Sequence, residues 1–272
     1  MLRKAAVAGY FYPASRNAIE SQIAGFISGT VQPAPAMGAV LPHAGYKYSG
    51  HVAVQVYERI KIADSVILIG PNHGAGRNIT PPPPAAIMSE GVWELPGGNV
   101  AIDEALAVSL KDETGVLEEA AWTHEAEHSL EVQIPLLQYF KESFKIIPII
   151  IWNLPDKKIM ELASALTRGI VKYGKPVTMI ASTDFSHYIP HETARRLDAM
   201  AIEKIMALDG PGLLKVVRDN KITMCGYQPT ALVIETLKLL GATKAELVEY
   251  KTSGDTSGDY TSVVGYGGLI IS

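Results

Sequence analysis

The sequence predicts an α/β fold: a single domain with a central, mostly parallel sheet covered by helices. Three observations carry that expectation. Short apolar runs alternate with longer stretches of helical period along the chain. The runs in the middle of the chain are apolar on both faces, as strands are when helices cover a parallel sheet. No linker rich in Gly, Ser or charge divides the alternation, so residues 1–272 read as one domain.

Taken in order, Gly38–Leu41 and Ser65–Ile69 read as the first strands, and Phe144–Trp152 and Val177–Ala181 as later ones. Between the first two, Ser49 precedes HVAVQVYERI, where Val52, Val56, Tyr57 and Ile60 share a face, and is placed to cap that helix. Thr80–Pro84, TPPPP, fits no regular element and reads as an extended polyproline segment on the surface. Pro135 falls in the helical stretch after His128, so that helix starts there or kinks. Asp156–Tyr173 carries Ile159, Leu162, Ala163, Leu166 and Ile170 at the spacing of one helix face. Thr193–Leu208, Gly212–Asp219 and Pro229–Leu240 complete the helices. Two strands, Ala245–Lys251 and Val263–Ile271, close the chain around the polar loop TSGDTSGDYTS.

Composition narrows the function. Hydrophobic residues make up 47% of the 272 and charged residues 19%, enough apolar surface for a large core. The balance of 24 basic against 28 acidic residues gives a net charge of −4 and argues against nucleic acid or an anionic membrane as the partner. The longest apolar stretch, near Ile146–Trp152, is broken by Pro148 and far short of the ~20 residues a membrane span needs. The N-terminus makes a poor signal peptide, and a lone cysteine, Cys225, excludes an internal disulfide framework; the expected location is the cytoplasm.

Open α/β sheets bind ligands at the carboxyl ends of their strands. The unusual polar residues fall there. PHAGYKYSG puts His43 after the first strand, GPNHG puts Asn72 and His73 after the second, and STDFSH puts Asp184 and His187 after another. Imidazoles beside carboxylates are what divalent transition metals take, and they also serve acid–base chemistry. His124–His128 reads HEAEH, the pattern of helical zinc peptidases, but Pro135 follows and no nearby downstream ligand is evident. Glu127 and His128 are assigned instead to the common pocket, as lining or bracing groups. Tyr46 and Tyr48 read as core aromatics or, for a phenol facing the pocket, as ligand-orienting groups, with Tyr48 the candidate for substrate contact. His51 and His191 match no pocket position and read as helix-surface residues.

The motifs PHAGYKYSG, GPNHG, GVWELP, EHSLEVQIP, STDFSH and CGYQP, in this order and preceded by AVAGYFYP, resemble the Memo family from about Arg3 to the end of the chain. That family is similar in fold to the B subunit of class III extradiol dioxygenases, which hold non-haem iron(II). The resemblance implies metal-type ligands at His43, His73 and Cys225 and a general-base histidine at His187 with Asp184 beside it; Tyr48, Asn72, Glu127 and His128 are the expected substrate contacts of the same pocket. It implies iron(II) or copper(I), with zinc ranked behind them. Cys225 stands where the dioxygenases place a glutamate, which puts oxygenase activity in doubt but not metal binding. Gly226 and a helix follow Cys225, a placement that can acidify a thiol.

The expected function is therefore a metal-binding redox or oxygenase-like protein. A non-catalytic pocket for a peptide or anion, and a metal-dependent hydrolase, are the alternatives. The expected ligand is a small molecule or peptide, and the resemblance points to radical S-adenosylmethionine proteins as pathway partners.

Overall fold

The computed structural model describes residues 1–29, 31–74 and 81–272. The chain opens with β1 (Leu2–Lys4) and α1 (Arg16–Ala24), then β2 (Ala34–Pro35) and β3 (Gly38–Leu41). Helix α2 (Tyr46–Tyr57) follows, then β4 (Ile60–Lys61), β5 (Ser65–Pro71), β6 (Ala85–Ile87), β7 (Val92–Leu95) and β8 (Gly98–Ala101). The middle holds α3 (Glu104–Glu113), β9 (Glu118–Glu119), a 3-10 turn at Ala121–His124, α4 (Gln133–Phe140), β10 (Lys145–Ile151) and α5 (Asp156–Tyr173). The last part comprises β11 (Val177–Ser182), β12 (His187–Ile189), α6 (His191–Met206), α7 (Gly210–Asp219), α8 (Tyr227–Leu239), β13 (Ala245–Thr252), α9 (Gly254–Ser257) and β14 (Val263–Ile271).

Among the described residues, nine strands form the main sheet, in the order β12-β14-β3-β11-β5-β10-β6-β9, with β13 also paired to β14. Its four central strands, β3, β11, β5 and β10, are mutually parallel, whereas β14 and β6 join the two sides antiparallel. The parallel strands are the most apolar because both of their faces are covered. Every residue of β5 is buried, and so is every residue of β10 except Lys145. Helix α8 packs across β3, β11, β5 and β10 with α5 behind it, while α2 packs on β3, β13 and β14 beside α4. Pro148 is tolerated inside β10 because the ladder to β6 spans only Ile149–Ile151, so Pro148 lies at its margin.

Local chemistry moves several boundaries from their expected places. Helix α2 begins three residues before Ser49, behind Gly45, and the Ser49 hydroxyl donates back to the Ala44 carbonyl at 3.0 Å rather than capping. Pro135 is the third residue of α4, in the first turn where a helix lacks main-chain acceptors, so the helix starts near it and does not kink there. Thr80 lies outside the described residues; of Pro81–Pro84, only Pro81 and Pro84 are exposed, and Pro84 accepts from the Trp152 main chain at 2.8 Å. The TSGD loop contains the single turn α9. A second, three-stranded sheet, β1-β7-β8, is built from segments with no clear alternation in the sequence. Among the described residues, no helix is long and apolar enough to cross a membrane.

Candidate metal centre

Three neighbouring parallel strands, β3, β11 and β5, end on one edge of the sheet. His43 stands two residues past β3, Asp184 two past β11, and His73 two past β5. Their shared direction, and not their sequence spacing, brings them together. The fourth contributor is the segment between the 3-10 turn and α4, which carries Glu127, His128 and Ser129. It approaches β5 closely at Gly70, where a Cβ would meet Leu130 Cδ2 and Ser129 Oγ at 2.7 Å each.

His43, His73 and His128 present ligand nitrogens that all lie within 4.8 Å of one another. The rings are in mutual contact, with centroids 5.1 Å apart for His43–His73, 5.4 Å for His43–His128 and 4.5 Å for His73–His128. The group thus contains His128, expected only to line or brace the pocket. Cys225, expected as the third ligand, borders the group on one side, with Sγ 3.3 Å from His43 Nε2.

Hydrogen bonds set which nitrogen each ring presents. The Ser182 hydroxyl donates to the Ser129 carbonyl at 2.6 Å and accepts from Gln133 Nε2 at 3.0 Å. Its one proton is committed, so His43 Nδ1 donates to it at 3.1 Å and Nε2 keeps the lone pair. Glu127 accepts from the His73 main chain at 2.6 Å, from His73 Nδ1 at 2.8 Å and from the Ser129 main chain at 2.9 Å. His73 therefore also turns Nε2 outward. A carboxylate behind a ligating imidazole is the usual orienting partner at metal sites.

Burial, followed by the charges of His73, His128 and His187, holds His43 well below the ordinary imidazole range. Burial brings His128 down to about 4, against the opposing pull of Glu127. Burial raises the Glu127 carboxyl, but the His73 hydrogen bond and the His73 and His128 charges outweigh it, leaving it at about 2. Asp184 is pushed up to about 6 by burial, although its Oδ1 accepts from the His43 main chain at 2.8 Å. The Cys225 thiol moves upward, first through burial and then through the Asp184 charge. That corrects the expectation of acidification by the following helix: among the described residues, Cys225 Sγ accepts only one main-chain N–H, that of Asp184 at 3.3 Å.

His187 lies outside the three-imidazole group, half-buried at the start of β12. Its Nδ1 meets the Thr223 carbonyl at 2.8 Å, and since a carbonyl only accepts, Nε2 is the free nitrogen. Tyr48 sits half-buried in the first turn of α2 with Lys47 Nζ 5.3 Å from its ring centroid. Tyr46 is a core residue whose hydroxyl donates to the Val132 carbonyl at 2.6 Å. Asn72 is buried, and its Oδ1 accepts from the Gly74 main chain at 2.7 Å, shaping the turn that carries His73. His51 and His191, expected on helix surfaces, are each half-buried; His191 Nδ1 lies 3.0 Å from Thr252 Oγ1.

HEAEH is not helical as a unit. His124 ends the 3-10 turn, while Glu127 and His128 follow in irregular chain. His124 is fully buried against Trp93, with centroids 6.3 Å apart, and is a core residue. The two histidines cannot present one helix face to zinc, which removes the peptidase geometry. Ser182 and Gln133, which fix the His43 tautomer, have no signature in the sequence, because Ser and Gln carry no signal of their own.

A family profile described as Memo-like protein matches residues 3–270. A MEMO1 family protein of Methanothermobacter thermautotrophicus is 38% identical over 282 residues, covering 99% of this chain and 100% of its own. A MEMO1 family protein of Desulfurococcus amylolyticus is 40% identical over 283 residues, covering 98% of each. Among solved structures, an uncharacterized protein of Escherichia coli K12 superposes with a TM-score of 0.51 at 12% identity, covering 85% of this chain and 98% of that one, a likeness of fold alone.

Proposed function

Because this chain belongs to the Memo-like family, we propose that it is a metal-binding redox or oxygenase-like protein, with His43, His73 and His128 holding the ion. The observation that carries this reading is the convergence of three imidazole nitrogens within 4.8 Å. The donor chemistry fits. Nε2 carries the lone pair in both His43 and His73, that of His43 meeting the Cys225 sulfur at 3.3 Å, and burial keeps His43 and His128 neutral at neutral pH, the form that ligates. Cys225 is placed to add a sulfur donor beside His43 once deprotonated, a soft ligand that suits copper(I) better than iron(II), the two ions proposed ahead of zinc. When bound, such an ion would supply a Lewis-acidic, redox-active centre.

The chain's own residues do the rest. Glu127 keeps His73 aimed at the group. Phe11, 4.7 Å from the His128 ring, covers one side of the site and limits water there. His187, with its lone pair on Nε2, accepts a proton from a bound substrate as general base. Asp184 fixes the His43 main chain and receives the Cys225 main-chain N–H on its carbonyl at 3.3 Å. Anion binding is the weaker reading, since it calls for imidazolium and burial disfavours that form at His43 and His128.

Protein purified without oxygen, affinity tag or chelator tests the proposal by elemental analysis. About one equivalent of iron or copper per chain is expected, before or after reconstitution with either ion. No retained ion after gel filtration of the reconstituted protein rejects it.

A further inference from the structure

We propose that Glu131, together with Arg3, is a positioning residue for the three-imidazole site, fixing the segment that carries Glu127 and His128 against the N-terminal segment. This inference rests on the metal-site reading above. Glu131 is fully buried and touches none of the three imidazoles by hydrogen bond; among the described residues, the partners of its carboxylate all come from the first twelve. Oε2 accepts from Arg3 Nη1 and from the Ala6 main chain at 2.8 Å, and Oε1 accepts from the Val7 main chain at 3.0 Å and the Tyr12 hydroxyl at 2.6 Å. A carboxylate with four donors has its lone pairs filled, two of them by main chain that cannot be repaired by a side-chain rotation.

Arg3 closes the arrangement from the other direction. It is 3% exposed, and its guanidinium lies 4.1 Å over the Trp93 ring. Nε donates to the His124 carbonyl at 3.0 Å, and Nη2 donates to the Glu127 carbonyl at 2.9 Å. One planar cation therefore ties the end of the 3-10 turn and the irregular chain that follows it, as far as Glu127, to the carboxylate four residues further on. The same N-terminal segment supplies Phe11, which packs on His128 and whose carbonyl accepts from the Tyr46 main chain at 2.7 Å. His128 has no strand behind it, unlike His43 and His73. Its ring has Phe11 at 4.7 Å and the Glu127 carboxylate 3.6 Å from Nδ1, its carbonyl accepts from the Val132 main chain at 3.1 Å, and the buried ion pair anchors the chain on either side of it.

A breach of the ion pair is costly in itself, since either partner alone is an uncompensated buried charge. The inference goes further: the loss must be read at His128 and at the metal. Wild type, Glu131→Gln, Tyr12→Phe and, as a buried-acid control at the amino end of β5, Asp103→Asn, whose carboxylate accepts from Ser65 Oγ at 2.6 Å and the Tyr173 hydroxyl at 2.8 Å, are compared well below their unfolding midpoints. Cobalt(II) is titrated by visible absorption, and the histidine ring resonances of each metal-free protein are recorded by NMR. Glu131→Gln is expected to weaken cobalt(II) by about 10- to 100-fold, the range for partners that orient ligands, and to alter the visible bands. Tyr12→Phe, which keeps the ion pair and loses one of four donors, gives a smaller change in the same direction. Asp103→Asn lowers stability and leaves affinity and spectrum as in wild type. In the metal-free proteins the His128 ring resonances move in Glu131→Gln and Tyr12→Phe, while those of His191 stay. Folded Glu131→Gln with wild-type affinity, bands and His128 resonances overturns the inference. If Glu131→Gln does not fold, unchanged His128 resonances in Tyr12→Phe overturn it. A wild type that takes no cobalt(II) counts against the metal reading, and the His128 resonances still decide the positioning role.

Discussion

Glu127 accepts three hydrogen bonds with one carboxylate, two of them from His73, so its charge and the aim of that imidazole are linked. Its pKa of about 2 lies below the value of 4.5 for an unperturbed Glu. A carboxyl depressed by folding stabilises the native state fully above its unfolded pKa and loses that contribution as pH falls toward the folded value. Glu127→Gln should therefore remove part of the wild-type loss of stability between about pH 4.5 and pH 2, on the order of 2 to 3 kcal/mol. Urea midpoints measured across that window in both proteins check it; parallel curves would count against it. At Cys225, Ser should weaken copper(I) more than iron(II), because only thiolate supplies a soft donor. Competition with a copper(I) chelator reads that difference, and equal copper(I) affinity in a folded Cys225→Ser protein removes the sulfur from the site.

Gly70, in β5, is where an element-scale constraint meets the site, since its missing side chain lets Ser129 and Leu130 lie against the strand. Gly70→Ala forces that segment outward or distorts β5. It should cost about 1 to 3 kcal/mol, the range for overpacking a full core. Val171→Ala on the exposed face of α5 should stay within about 0.5 kcal/mol. Thermal unfolding of the two variants tests the contrast. The sequence made β3, β5, β10, β11 and α5 legible, because each answers to a strong local pattern: double-sided burial for the strands, an apolar stripe for the helix. The β1-β7-β8 sheet was not legible, since LRK and GNVA are too short to show a period and LRK depends on β7, a partner distant in sequence. His43, His73 and Asp184 could be read from their places past strands. His128 could not be ranked as a member of the group, because an irregular segment held by Arg3 and Glu131 carries it. The burial that raises the Cys225 thiol is likewise a property of packing that spacing does not encode.

Over the whole molecule, the site exists because three parallel strands end together and a segment from elsewhere in the chain closes over them. Such a site is assembled only in the folded chain, so an ion held there must stabilise the fold as a whole. At a free concentration of about 100 times Kd that stabilisation is about 2.7 kcal/mol, enough to raise the unfolding midpoint by several degrees. The fully buried His124, packed on Trp93, should lower stability when changed to Ala but leave this metal-dependent increment in place. The most direct test is anaerobic calorimetric titration of iron(II) and copper(I) into wild type, His43→Ala, His73→Ala and His128→Ala. One ion per chain should bind wild type, and each substitution should abolish tight binding, His128→Ala as completely as the other two. Wild-type affinity in a folded His128→Ala protein would contradict a three-imidazole metal site.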